Sequence, residues 1–340
     1  MITAQTPSPQ PDALPPPVRW QQLWRDAIRE PAELLEMLGL PDLAGRVSAA
    51  ATAQFALRVP RGFAARMRRG DPHDPLLRQV LPLDDEDRVV PGFGLDAVGD
   101  LEARGGAGIL HKYEGRALLV ATGSCAIHCR YCFRRHFPYG EQTAAAGQWR
   151  ESLDYLAADP SISEVLLSGG DPLSLSTPKL AEFTDALARL PQVRRLRLHT
   201  RLPVVLPERV DAELLDWLSR LPQKVVVVIH ANHANEIDGS VARAVAGLRE
   251  AGATVLNQAV LLRGVNDSVA ALADLSDQLF EAGVLPYYLH LLDRVAGSAH
   301  FEVPADEARQ LHEALSARLP GYLVPRLVRE VAGAPAKLPV

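Results

Sequence analysis

Read as a pattern of apolar and polar positions, the chain falls into three textures. Residues 1–17 show no period. Over 18–104 apolar residues recur at helical spacing in pieces such as WQQLWRDAIR and PAELLEMLGL, with proline or glycine between them, which predicts short amphipathic helices. From residue 116 onward short apolar runs alternate with longer amphipathic stretches. RALLVAT, EVLLSGG, VRRLRLHT, KVVVVIHA, ATVLNQAVLL and VLPYYLHLLD read as six strands, and 144–157, 178–190, 211–221, 241–251, 268–282 and 305–319 as the helices that cross between them. Such a series predicts an α/β fold, a parallel partial (β/α)6 barrel with its chemistry in the loops after the strand ends. The expected organisation is a tail at 1–17, a helical accessory segment at 18–104, the barrel at 105–320 and a C-terminal segment at 321–340.

Composition narrows this picture. At 340 residues and 47% hydrophobic the chain can bury a full core. The first 17 residues are too rich in proline and polar groups to do so and are expected to be disordered. A formal charge of −5, from 36 basic and 41 acidic residues, gives no footprint for nucleic acid or an anionic membrane. No apolar run nears the ~20 residues of a membrane span, and the chain's start lacks a signal peptide's basic flank and apolar stretch. A cytoplasmic enzyme of a small ligand is therefore expected.

Chemistry is concentrated after the first strand of the series, in GSCAIHCRYCFRRHF. Cys125, Cys129 and Cys132 are the only cysteines, an odd set packed too closely for a disulfide framework. Thiolates are the usual ligands of iron–sulfur clusters, and three of them on a four-iron cluster leave one iron open to a small molecule. The alternative is a zinc site completed by His128 or His136, which would make the chain a zinc-stabilised adaptor. After the next strand comes SGGDP, Ser168, Gly169, Gly170 and Asp171 before Pro172, where paired glycines let backbone approach a ligand or merely turn. His230 and Gln258 follow later strands, where they could hydrogen-bond a nucleoside or simply be satisfied barrel residues. Asp293 ends the last strand, facing either a cationic ligand or neighbouring Arg294. Arg134 and Arg135 offer guanidinium forks for a carboxylate, though one of them could be surface charge. Lys112, Lys179, Lys224 and Lys337 are the only lysines. Lys224 starts a strand and Lys179 opens a helix, which leaves Lys112 and Lys337 as candidate reactive amines.

The ordered set GILHKYEGRALLVATGSCAIHCRYCFRRHF, LLSGGDPL, IHANHANE, NQAVLLRGVND and HLLDRVAGSAHF resembles the lysine 2,3-aminomutase family of radical S-adenosylmethionine enzymes. The likeness is nearest its shorter branch, which makes (R)-β-lysine for modifying elongation factor P. The resemblance implies a [4Fe–4S] cluster on Cys125, Cys129 and Cys132, and an S-adenosylmethionine site lined by Ser168, Gly169, Gly170, Asp171, His230 and Gln258. It further implies pyridoxal 5′-phosphate held by Tyr113, Arg116 and the catalytic Lys337. Arg134 would hold the substrate carboxylate, with Asp293 and Glu330 at its distal ammonium. L-lysine is the implied substrate, an electron donor of flavodoxin or ferredoxin type the implied partner, and elongation factor P with its lysyl ligase the indirect pathway link. Arginine and glutamate aminomutases share the framework and remain alternatives. The pattern departs from the longer enzymes in three ways: Glu330 stands where they have aspartate, fewer glycines precede Lys337, and their zinc-bearing C-terminal region is not seen before the end at Val340, so zinc is not expected.

Overall fold

The computed structural model describes residues 19–106, 108–140, 143–147 and 149–340. The expected tail at 1–17 lies outside the described residues. Helical periodicity in the next segment becomes α1 (Trp20–Arg25), α2 (Pro31–Leu38), α3 (Ala49–Gln54), α4 (Arg61–Ala64) and α5 (Pro75–Arg78). Three of them are bounded by a cap or a breaker: Pro31 opens α2 and left-handed Gly39 closes it, while the Ser48 and Asp74 side chains accept from the free backbone N–H groups that start α3 and α5. Helical structure does not persist to residue 104 as the pattern predicted. It ends with a 3₁₀ turn at Asp84–Asp87, and turns fill the stretch before the first strand.

The six expected strands all form: β3 (Arg116–Thr122), β4 (Glu164–Gly169), β5 (Arg195–Thr200), β6 (Lys224–Ile229), β7 (Thr254–Val260) and β8 (Leu285–His290). They follow a hairpin strand pair, β1 (Arg104–Gly106) and β2 (Ile109–Tyr113), and are followed by β9 (Arg326–Arg329) and β10 (Leu338–Pro339). All ten lie in one sheet in chain order, parallel from β3 to β9 and antiparallel at both margins. Crossovers are made by α6 (Arg150–Ala158), α7 (Thr177–Leu187), α8 (Leu202–Val205) with α9 (Ala212–Ser219), α10 (Gly239–Glu250), α11 (Val269–Glu281) and α12 (Ala305–Arg318). β1 and β10 are the free margins, so the barrel is partial. The 321–340 segment thus joins the barrel's own sheet. β9 escaped the pattern because RLVR is four residues long with an arginine at each end. No helix among the described residues is long and apolar enough to cross a membrane.

Alternation along each strand decides what packs and what is left for chemistry. Ala117, Leu119 and Ala121 of β3, Val165 and Leu167 of β4, and Leu196 and Leu198 of β5 are buried in one continuous core. Their alternates, among them Arg116, Ser168, Arg197, His199, Gln258, Tyr288 and His290, line an interior cavity. Where most barrels fill the interior with branched apolar side chains, this one keeps polar groups around a void.

The accessory helices clamp the cysteine loop. Arg130, fully buried, makes a two-pronged contact to Glu86, at 2.7 Å from Nε to Oε1 and from Nη2 to Oε2, and donates to the α3 carbonyl of Ala51. Arg135 donates to the same Glu86 at 2.7 Å. Neither Arg134 nor Arg135 is the surface charge that the sequence allowed. Replacing Glu86 with Ala strands two buried guanidinium groups, and the cluster-free chain should lose about 3–5 kcal/mol in urea unfolding; a loss under 1 kcal/mol would show that the clamp is not what orders the loop.

Candidate active site

The cavity, about 440 Å³, runs from the strand starts to the strand ends and brings together the three cysteines, Tyr113, Arg116, Arg134, the Ser168–Asp171 turn, His230, Gln258, Asp293, Glu330 and Lys337, while His128, His136 and Arg135 lie outside its lining. Its upper wall is the cysteine loop. Cys125, Cys129 and Cys132 are free thiols. Burial and the neighbouring sulfurs push the Cys125 thiol well above its ordinary range, and burial carries Cys132 up to about 11. The zinc alternative is not assembled: His128 Nδ1 contacts the Ala56 carbonyl at 2.6 Å and His136 Nε2 the Ala296 carbonyl at 3.2 Å. Among the described residues no three His, Cys, Asp or Glu side chains are placed to hold a single metal ion. Three thiols on one wall of the cavity are a donor set that suits an iron–sulfur centre.

Beside that wall, Gly169 and Gly170 serve the protein first. Gly169 sits at φ +111°, and a Cβ there would meet the Thr122 carbonyl oxygen at 2.7 Å; a Cβ on Gly170 would meet that of Ser124 at 2.5 Å. The glycines let the end of β4 lie against the cysteine loop, and their exposed backbone faces the cavity. The Asp171 carboxylate is taken up locally, accepting from Thr200 Oγ1 at 2.7 Å and the backbone N–H groups of Arg201, Leu202 and Leu173 at 2.7, 3.1 and 3.0 Å. It buckles β4 to β5. His230 and Gln258 differ in having buried atoms, Nε2 and Oε1, without partners among the described residues, and the same holds for Nε2 of His199 and His290. Burial lowers His230 to about 4 and pushes His199 and His290 well below the ordinary imidazole range, which favours the neutral ring in all three. A buried polar atom without a partner costs about 1–3 kcal/mol, and such a row around a void fits a polar ligand with a nucleoside's hydrogen-bonding edge.

The lower wall is a chain of charges. Arg134 Nε and Lys112 Nζ each lie 2.7 Å from Asp100, and Arg134 Nη1 donates to Ser168 Oγ at 3.1 Å. Burial pushes the Asp100 carboxyl up, but these two cations outweigh it and hold it below the usual range. Arg134 therefore offers a carboxylate Nη2 rather than a free fork. Glu330, expected at a substrate ammonium, is already engaged: it accepts from Lys337 Nζ at 2.8 Å and from the Tyr113 hydroxyl at 2.6 Å, with Lys112 at 3.7 Å. Arg116 stacks over the Tyr113 ring at 4.5 Å. Tyr113 and Arg116 flank the β2–β3 turn at the strand starts, so the cavity's chemistry extends deeper than the loops after the strand ends. Arg116, Arg197 and Arg326 line this deep end, which suits a phosphate.

Asp293 has no salt-bridge partner among the described residues. Arg294 turns away to Glu302 at 2.7 Å, and no hydrogen bond reaches the Asp293 carboxylate among the described residues. Burial pushes it up to about 7, with Lys337 and Lys112 lowering it and Glu330 and Asp100 raising it. Sequence reasoning missed Asp100, which lies in the aperiodic stretch GDLEARGG, and also His199 and Arg201, although their motif LHTR closes β5 at the expected catalytic end.

Residues 119–275 match the family model described as the Radical SAM superfamily. The chain is 46% identical over 325 residues to the L-lysine 2,3-aminomutase of Escherichia coli (strain K12), covering 94% of each protein. To the L-lysine 2,3-aminomutase of Clostridium subterminale it is 32% identical, covering 95% of this chain and 77% of that one. Among solved structures, a radical SAM methyltransferase from Sphaerobacter thermophilus is 19% identical with a TM-score of 0.42, covering 65% of this chain and 68% of that one.

The geometry sets the pH response of the cavity. Asp293 must ionise to receive an ammonium, so affinity for an organic dication that reaches it should rise as pH increases through about 7 and level off above it. Calorimetric titration should show proton release on binding near pH 6–7. Asp293→Asn should flatten both, and an unchanged pH profile in that variant would assign the dependence to another group.

Proposed function

Because this chain belongs to the lysine 2,3-aminomutase family of radical S-adenosylmethionine isomerases, we propose that it converts L-lysine to (R)-β-lysine, using a [4Fe–4S] cluster, S-adenosylmethionine and pyridoxal 5′-phosphate. The cluster with S-adenosylmethionine supplies radical hydrogen abstraction, and pyridoxal phosphate supplies the carbonyl that carries nitrogen between adjacent carbons. The rest is the protein's. Cys125, Cys129 and Cys132 are the cluster ligands, and the unpartnered atoms of His230 and Gln258 hydrogen-bond the nucleoside beside the backbone of Ser168, Gly169 and Gly170. Lys337 supplies the amine for pyridoxal phosphate, with Tyr113 and Arg116 around its ring and phosphate. Arg134, oriented by Asp100, holds the substrate carboxylate.

The observation that carries the lysine assignment is Asp293, a carboxylate in the same cavity as the cysteines and Lys337 with no salt-bridge partner among the described residues. An ammonium at the far end of the substrate supplies the missing charge. Glutamate would bring a second carboxylate there. Arginine carries the right charge and is the competitor to be tested. Glu330, which accepts from Lys337 Nζ at 2.8 Å and from the Tyr113 hydroxyl at 2.6 Å, would be the second acceptor for the substrate ammonium.

Identity of 46% to the Escherichia coli relative, against 32% to the Clostridium one, supports the branch nearest the former. On that reading the product feeds a lysyl ligase that modifies elongation factor P, and a flavodoxin or ferredoxin supplies the electron.

The test is anaerobic: cluster-reconstituted protein, pyridoxal phosphate, S-adenosylmethionine, reductant and L-lysine or L-arginine, with β-amino acids resolved by chiral chromatography. (R)-β-Lysine is expected; 5′-deoxyadenosine without it would overturn the substrate assignment. Cys129→Ala should abolish turnover. Asp293→Asn should raise the lysine KM about 30-fold or more, equivalent to ~2 kcal/mol for a desolvated charge pair losing one partner.

A further inference from the structure

The loop after β5 places a guanidinium against one cysteine sulfur. Arg201 Nη1 donates to Cys129 Sγ at 2.7 Å. Nη2 donates to Gln79 Oε1 at 2.6 Å and Glu236 Oε2 at 2.8 Å, and the Arg201 backbone N–H is anchored on Asp171 at 2.7 Å. The Phe63 and Tyr131 rings lie 5.6 and 5.8 Å from its charge centre. Glu236 is fixed in turn by Gln79 Nε2 at 3.0 Å and the backbone N–H groups of Asn232 and His233 at 2.9 and 3.1 Å. Arg201 is 7% exposed and Glu236 fully buried, so solvent does not screen the contact. It is the only guanidinium donor to a cysteine sulfur among the described residues.

We propose that Arg201 sets the reduction potential of the cluster through its N–H···S contact to Cys129, with Glu236 as the counter-charge that limits the effect. Resting on the cluster reading above, this adds a positioning and tuning residue to it. An added electron places negative charge partly on the sulfurs, and a nearby donor and cation stabilise the reduced form more than the oxidised one. Arg201 therefore favours reduction, and Glu236, 2.8 Å from the same group, opposes it. Among the described residues no guanidinium donates to the sulfur of Cys125 or Cys132, the latter receiving the Arg134 backbone N–H instead, so the guanidinium contact itself acts at one corner of the cluster.

The test is an anaerobic potentiometric titration of the reconstituted full chain without S-adenosylmethionine, following the electron-spin signal of the reduced cluster. Arg201→Gln should lower the reduced-to-oxidised ratio at a fixed potential about tenfold, about 59 mV for a one-electron couple. Glu236→Gln, which leaves the guanidinium uncompensated, should shift it the other way. Arg201→Gln strands a buried carboxylate, so the R201Q/E236Q pair is included to keep the site neutral, and it should follow the single arginine variant downward. Wild-type midpoints in both E236Q and the double variant, with full cluster content, would overturn the proposal and leave the arginine a purely structural role. A wild-type chain that assembles no four-iron cluster would instead overturn the cluster reading on which it rests.

Discussion

A sheet of parallel strands that does not close leaves a seam, and in this chain the seam is fastened by charge. Glu330, just past β9, receives the Tyr113 hydroxyl from β2 on the opposite side and the Lys337 ammonium from beside β10. Lys112 adds its weight from β2 and continues through Asp100 to Arg134 on the cysteine loop. The result is an alternating row of cations and anions along the gap that a fully wound barrel would seal with backbone hydrogen bonds. Backbone closure is permanent on the scale of function, whereas an ion pair facing a cavity can exchange partners with an incoming charged molecule.

The same substitution of polar for apolar groups explains why the interior is a site. Strand alternation sends alanines, valines and leucines outward to the helices and leaves histidines, arginines, tyrosines and Gln258 inside. Several of these hold unpartnered buried atoms, a cost no stable fold carries without return. Two functions of the accessory helices also follow from packing: Glu86 neutralises the arginines of the cysteine loop, and Gln79 in the turn after α5 orients the Arg201–Glu236 pair. That segment is part of the site's construction.

Much of this was legible in the residues. Period-two and period-3.6 patterns found all six strands and their crossover helices because each buries an apolar face long enough to register. The cysteine loop was legible because three thiols within eight residues have few other uses. Partnerships were not legible. Arg134 and Glu330 read as free ligand-binding groups, yet each has a protein partner more than thirty or, for Tyr113, more than two hundred positions away, and nothing local encodes such pairing. The glycine pair read as a ligand approach is required first by backbone crowding from Thr122 and Ser124. Asp293 was left between two readings, and only the turning of Arg294 toward Glu302 separates them.

The seam also bears on time. Its Tyr113–Glu330 contact joins residues 217 positions apart, and closing a flexible loop of that length would cost about 5 kcal/mol in chain entropy. Contacts of such separation form only after nearer pairings have shortened the loop, so the strand series from β3 to β8 must be largely in place first. A growing barrel of this design therefore passes through a stage with its walls built and one side still open. The contacts of Glu330 to Tyr113 and Lys337 are then among the last to form, and until they do the cavity is open along its side as well as at its mouth.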